Sequence, residues 1–274
     1  MYQKQKEIQL QYEGFLKTPF LWYGKGVFNL EQFPALTTQS ASYNQEITQK
    51  LRLGKLVERF VSFELNQESS ISILAENIQI QQGKITVGEL DCLLLHNETP
   101  IHLEIIYKFY LYDATVGATE IAHWIGPNRR DSLIHKITKL QEKQLPLLYS
   151  NHTKTYLEEV GLDVSNIVQQ VYFKAQLFVP LKSYGKSVKQ VNNECIYGFY
   201  IYPKELAQFS DSKFYIPNKH GWLINPHTNV DWLNFEQYTT KLQQFLEEEN
   251  APLCWLKKPN GELYKFFVVW WNNK

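Results

Sequence analysis

Residues 85–112, ITVGELDCLLLHNETPIHLEIIYKFYLY, plant acids inside two strongly apolar stretches. ITVGELDCLLL and IHLEIIYKFYLY are rich in β-branched, aromatic and leucine residues, and HNETP between them has turn chemistry. Side chains along a strand alternate faces. Glu89 and Asp91 therefore share one face of the first strand, and His102, Glu104 and Lys108 share one face of the second. A carboxylate inside an apolar strand costs free energy unless something pairs with it. Acids and a lysine converging at one place predict a divalent-cation site with an amine beside it.

The elements around these strands must supply the remaining groups. Residues 44–65 predict a helix. At about 100° per residue, Glu58 falls on the apolar stripe of Ile47, Leu51 and Leu65, while Arg52, Lys55 and Arg59 form a separate charged arc. Glu58 reads two ways: as a rim acid paired with Lys55 one turn earlier, or as a further acid aimed at the strand site. Residues 70–81 predict a strand, with QQGK turning into the next. After residue 112 comes a loop, and then Asp131 is expected to cap a helix, SLIHKITKLQEKQL, that Pro146 stops. Leu133, Ile137, Leu140 and Gln144 form one stripe of it, and Lys136, Lys139 and Lys143 the neighbouring one. With Arg129 and Arg130 these lysines make the densest basic patch in the chain, which suits either phosphate contacts or a solvated face. Gln144 reads as a site residue or an interior amide; His102 and His135 read as partners of the site or as satisfied histidines.

The rest of the chain predicts a helix over 3–18, irregular packing from 18 to 34 and a helical stretch over 153–170. Strands follow at VYFKAQLFVPL and CIYGFYIYP, then a helix at DWLNFEQYTTKLQQFLEEE and a hairpin turning at Asn260-Gly261. Three segments are expected: 1–43 packed on the core, a core over 44–185, and a C-terminal α+β extension over 186–274.

Composition limits the options. The 28 Lys and Arg balance 28 Asp and Glu, so no global positive field draws the chain onto nucleic acid; such binding would need a local patch. Cys92, Cys195 and Cys254 are too few and too scattered for a disulfide framework, which points to a reducing cytoplasm. The polar N-terminus lacks a signal-peptide core and FFVVWW is too short to span a bilayer, so a soluble protein without membrane association is expected. No phosphate loop of Walker type, zinc-like Cys/His pattern or GxSxG elbow appears.

Read coarsely, residues 44–180 run helix, strand, strand, strand, helix, strand, with carboxylates in the second and third strands. This order resembles the α/β core of the PD-(D/E)XK phosphodiesterase superfamily, restriction-endonuclease-like, with a mixed sheet flanked by helices. More narrowly, GELD, HLEIIYKFYLY, HWIGPNRRDSLIHKI and KQLPLL resemble a bacterial family, domain of unknown function eighteen fifty-three. The superfamily resemblance implies Mg²⁺ or Mn²⁺ held by Asp91 and Glu104, with the Ile105 backbone carbonyl and with Glu58 or Glu89 as the further acid. It implies phosphodiester hydrolysis of nucleic acid, DNA being the expected partner, with Arg129, Arg130, Lys136, Lys139 and Gln144 on the substrate side. The chain departs from the pattern in one place. Ile106 stands where Glu-x-Lys requires lysine, and Lys108 comes two residues later. At about 3.3 Å per residue its Cα lies roughly 13 Å from that of Glu104, against about 7 Å in the pattern. Either its stem reaches back, or Lys136 substitutes, or the scaffold is catalytically inactive and serves as a nucleic-acid-binding or protein-interaction module. A buried ion-pair network with no activity is the remaining reading.

Overall fold

The computed structural model describes residues 2–37 and 41–271; residues 1 and 38–40 of the expected N-terminal segment, and 272–274, lie outside it. In chain order the elements are α1 (Tyr2–Lys17), α2 (Leu53–Leu65), β1 (Ile71–Gln82), β2 (Ile85–His96), β3 (Thr99–Tyr112) and β4 (Trp124–Ile125). Then come α3 (Leu133–Lys139), a π-helical turn (Leu140–Gln144), α4 (Leu145–Leu147), α5 (Asn151–Glu159), β5 (Val168–Pro180) and β6 (Ile196–Ile201). The described chain closes with β7 (Lys213–Tyr215), α6 (Phe235–Glu247), β8 (Leu253–Lys257) and β9 (Leu263–Val268). The class is α/β, with mixed β-sheet flanked by helices. Antiparallel pairs join β1 to β2 and β2 to β3, whereas β6 runs parallel to both β5 and β9.

The described chain divides into two compact units that take alternating stretches. One holds residues 20–107 and 135–174, and contains α2, β1, β2 and α5. Ile78, Ile80, Leu90, Leu93, Leu148, Leu157 and Ile167 form a core there, and Tyr43 packs edge-on against Phe60 and Phe63 of α2. Residues 20–37 are irregular, as their Gly and Pro content predicts. They are tied down by backbone hydrogen bonds from Leu21 to Phe173 and from Phe33 to Val171, both on β5. The other unit holds residues 1–19, 108–134 and 175–274. Its core includes Phe199, Phe214, Tyr238, Phe266 and Val268, and its β8–β9 hairpin turns where Gly261 takes a left-handed φ of 87°. Lys265 on β9 is fully buried, its ammonium donating to Gln176 Oε1 at 2.9 Å and to the Trp222 carbonyl at 2.8 Å. The three cysteines are buried, and no disulfide joins them. No helix among the described residues is long and apolar enough to cross a membrane.

Four sequence expectations need correction. The helix expected over 44–65 begins only at Leu53, so Ile47 and Leu51 are not part of its stripe. Gly54 at its first turn and the exposed, polar run before it leave residues 44–52 without a buried face to support helix. Asp131 does not cap α3; its carboxylate accepts from Lys108. Pro146 does not stop the helical segment, because the π-helical turn over 140–144 widens the ladder ahead of it and α4 continues through Leu147. The widened turn gives the proline ring the room that a regular α-helix denies it. The stretch expected to be helical over 153–170 is α5 alone, followed by a short 3-10 turn and the start of β5.

Gly88, in the GELD motif on β2, is where strand and helical segment meet most tightly. A Cβ there would come within 2.5 Å of Leu147 Cδ2. Gly88→Ala therefore needs only a rotation of Leu147, whereas Gly88→Val must displace α4 and lower stability by about 1–3 kcal/mol. Urea unfolding of both variants beside the wild type checks the ranking.

Candidate functional site

The regular β2–β3 ladder runs from His96 paired with Thr99 to Cys92 paired with Leu103. One step further the register sets Asp91 across from Glu104, and there the side chain takes over from the backbone: Asp91 Oδ2 accepts the Ile105 N–H at 2.9 Å. On the other flank Asn77 lies between the pairs Glu76–Cys92 and Ile78–Leu90, so it falls across from Asp91. Asn77 holds a left-handed φ of 54°, which asparagine tolerates better than most residues. The acids thus sit where two strand pairings loosen side by side.

Glu104 is completely buried, and both carboxylate oxygens are engaged. Oε2 accepts from Gln144 Nε2 at 2.5 Å, and Oε1 lies 3.2 Å from His102 Nε2. His102 Nδ1 accepts from Gln169 Nε2 at 2.9 Å, which leaves the ring proton on Nε2 to be donated to Glu104. Gln169 is itself fixed by donating to the Leu145 carbonyl at 2.7 Å. Behind Gln144 stands Lys136, whose ammonium donates to Gln144 Oε1 at 2.7 Å. The chain Lys136–Gln144–Glu104 thus joins the helical segment to β3 through one amide that donates at one end and accepts at the other.

Asp91 is half-buried, and its Oδ1 has no hydrogen-bond partner among the described residues. Burial first, then the charge of Glu104, push its pKa up to about 7, with a smaller contribution in the same direction from Glu58; the Ile105 N–H and the Lys136 charge oppose them. The charges of Glu104, Glu58 and Lys136 thus all act on Asp91.

Glu58 carries both of the roles weighed for it. Its Oε2 accepts from Lys55 at 2.7 Å, and its charge is felt at Asp91. Burial raises its pKa, with Glu89 adding to the rise and Lys55 opposing it. The Lys55 ammonium also bonds Asn77 Oδ1 at 2.6 Å and pairs with Glu89, whose other oxygen accepts from Gln79. Despite partial desolvation, Glu58 and Glu89 hold the Lys55 pKa above the ordinary lysine value. A cavity of about 490 Å³ opens beside these groups, lined by Lys55, Glu58, Arg59, Glu76 and Asn77. Lys55 was read from sequence as the partner of Glu58 and is found there, whereas Asn77 and Gln169 were not singled out. Lys55 had a signal in its i, i+3 spacing to Glu58, and Asn77 had one as a left-handed-tolerant residue inside a strand; Gln169 had none.

The other predicted site residues are found as follows. Lys108 belongs to the other unit, where its ammonium pairs with Asp131 Oδ2 at 2.7 Å. Arg129 and Arg130 are in that unit too; Arg129 holds Asp113 at 2.7 Å and stacks on Trp271 at 4.6 Å. Lys139 is exposed on α3, and His135 is exposed beside it. Ile105 reaches the site through its N–H.

Among the described residues no group of three or more His, Cys, Asp and Glu side chains is placed to hold a metal ion. Two hard carboxylates with backbone and solvent oxygens are nonetheless a donor set that suits Mg²⁺, which keeps several waters. Chemically, the arrangement can hold a proton on Asp91 or exchange that proton for a cation.

The raised Asp91 pKa has a definite sign. In chelator-treated protein, folding favours the protonated form, so Asp91 supports stability below the ordinary carboxylate range and withdraws that support as pH rises from about 4 towards about 7. Asp91→Asn is expected to flatten this part of the stability–pH curve and to gain on the wild type above pH 7. Denaturant midpoints measured from pH 4 to 8 decide it.

A family model described as "Domain of unknown function (DUF1853)" matches residues 28–269. Searches of curated proteins and of solved structures gave no match.

Proposed function

The chain belongs to the family whose model it matches, and we propose that it is a divalent-metal-dependent phosphodiesterase acting on nucleic acid, DNA foremost. The observation that carries this reading is the loosened ladder that sets Asp91 across from Glu104, where burial first and then the Glu104 charge bring the Asp91 pKa up to about 7. Such a pair is costly as it stands and relieved by a cation. The order α2, β1, β2, β3, α3, β5 supports a PD-(D/E)XK-like core.

Asp91 and Glu104 would hold Mg²⁺ or Mn²⁺, Asp91 through the oxygen left unbonded, with the Ile105 carbonyl completing the protein's share. When bound, the ion supplies Lewis-acid polarisation of a phosphoryl oxygen and a lower pKa for water. The protein's own groups do the rest. His102 and Gln144 fix the Glu104 carboxylate from both sides. Gln169 keeps the His102 proton on Nε2. Lys136, close enough for its charge to act on Asp91, takes the role of the missing Glu-x-Lys lysine and orients the attacking water; Lys108, held by Asp131, is the weaker choice. Glu58 attracts a proton or an outer water at the mouth of the cavity, and Lys139 with Arg59 offers cationic side chains to phosphate.

The second reading, an inactive nuclease-like module that binds without cutting, draws on the pairing of Glu58 and Glu89 with Lys55, which leaves two acids for a cation.

A cleavage assay on single- and double-stranded DNA in Mn²⁺ separates the two. Asp91→Ala and Glu104→Ala are expected to lose activity by at least about a hundredfold, and Lys136→Met to lose more than Lys108→Met. Calorimetric titration should show one Mn²⁺ site that Asp91→Ala abolishes. Equal cleavage by wild type and Asp91→Ala would refute the enzyme reading, and absence of metal binding with DNA present would favour the module.

A further inference from the structure

The unit made of residues 1–19, 108–134 and 175–274 has a cavity lined by none of the residues of the acid pair. This cavity, of about 510 Å³, lies against the segment 216–222 and the turn after α6. Its wall is largely apolar, with Ile216, Pro217, Phe245 and Pro252, and its one charged lining residue is Lys219. Its volume falls in the range of small-molecule pockets.

Lys219 is set up unusually for a surface lysine. The residue is exposed, yet its ammonium lies 3.2 Å above the Trp222 ring, with Phe109 at 5.6 Å. Trp222 is in turn fixed by edge contacts to Phe109 and Phe267. No carboxylate lies within ion-pair distance of Lys219 among the described residues. The acid whose charge acts on it, Asp131, is already held by Lys108 at 2.7 Å. The three charges therefore sum to one uncompensated positive charge at the cavity edge. Lost hydration, with Lys108 adding to it and Asp131 opposing it, brings the Lys219 pKa down to about 8. A desolvated cation fixed on an aromatic face is prepared for an anion, which restores the charge that burial disfavours.

The far wall supplies a reading group. Asn128 donates to Asn250 Oδ1 at 2.6 Å and accepts the Ala251 N–H at 2.8 Å. This clamps Asn250 with its Nδ2 unbonded to any described residue. A fixed amide donor in an apolar slot suits the acceptor edge of a flat heterocycle, and the cation suits a phosphate attached to it. From this juxtaposition of one uncompensated ammonium, one oriented amide and an apolar slot, we propose that the cavity binds a nucleoside monophosphate, with phosphate on Lys219 and base against Phe245 and Pro252 within reach of Asn250.

The test is calorimetric titration of the full chain with AMP, adenosine and inorganic phosphate, with tryptophan fluorescence as a second readout. AMP should bind, and adenosine and phosphate should each bind at least about tenfold more weakly, because each offers half of the contacts. Lys219→Met should weaken AMP binding by at least about tenfold. Asn250→Asp, which sets an acid in the slot, should weaken it similarly. Titrations at pH 8 in two buffers of different ionisation heat should reveal proton uptake by the wild type and none by Lys219→Met. Asp91→Ala should keep AMP binding, so failure of the phosphodiesterase reading and failure of this one are told apart. No AMP binding by the wild type, or unchanged affinity in both Lys219→Met and Asn250→Asp, overturns the proposal. So does loss of AMP binding in Asp91→Ala alone.

Discussion

Two carboxylates brought together out of water is the constraint from which the candidate site follows. An ionised acid in an apolar strand is expensive, and a second one beside it raises the expense. The structure meets this at three of the four carboxylate oxygens. Glu104 receives a donor on each oxygen, from Gln144 and His102, and Asp91 receives the Ile105 N–H. What hydrogen bonds do not offset appears as the raised pKa of Asp91. A structural ion pair would be expected to set a cation directly against each acid. Here Lys136 joins Glu104 through the Gln144 amide, and one Asp91 oxygen stays open.

The supporting elements are consequences of that arrangement. Gly88 lets the helical segment approach β2 closely. The π-helical turn accommodates Pro146 without ending the segment, and Gln144 at its last position reaches Glu104. Asn77 breaks the β1–β2 ladder opposite Asp91, and its side chain becomes an acceptor for Lys55. Lys55 then binds Glu58 and Glu89 together, so that two more acids stand near the pair without adding their full repulsion.

Much of this was legible along the chain. The alternation in residues 85–112 gave both strands and the shared faces of their acids, and the 3.6-residue period put Gln144 on the stripe of Leu133, Ile137 and Leu140, from which it does reach Glu104. The start of α2 was misjudged because periodicity extends into residues 44–52 although no buried face supports them. Pro146 was misjudged because a π-helical turn leaves no mark in hydrophobic spacing. Gln169, sixty-seven residues from the histidine that it orients, had no local signal at all.

By itself, then, the sequence determined which residues lie on which face, since side-chain alternation and helical period are local properties of the backbone. It determined as well that Asp91 and Glu104 flank a single turn and would meet if the strands paired. Only the tertiary structure decided partners across segments: Lys108 for Asp131, Gln144 for Glu104, and Glu89 as a second acid for Lys55 beside the Glu58 already legible from i, i+3 spacing. Partner choice depends on distances between segments far apart in the chain, and no period along a single segment records them.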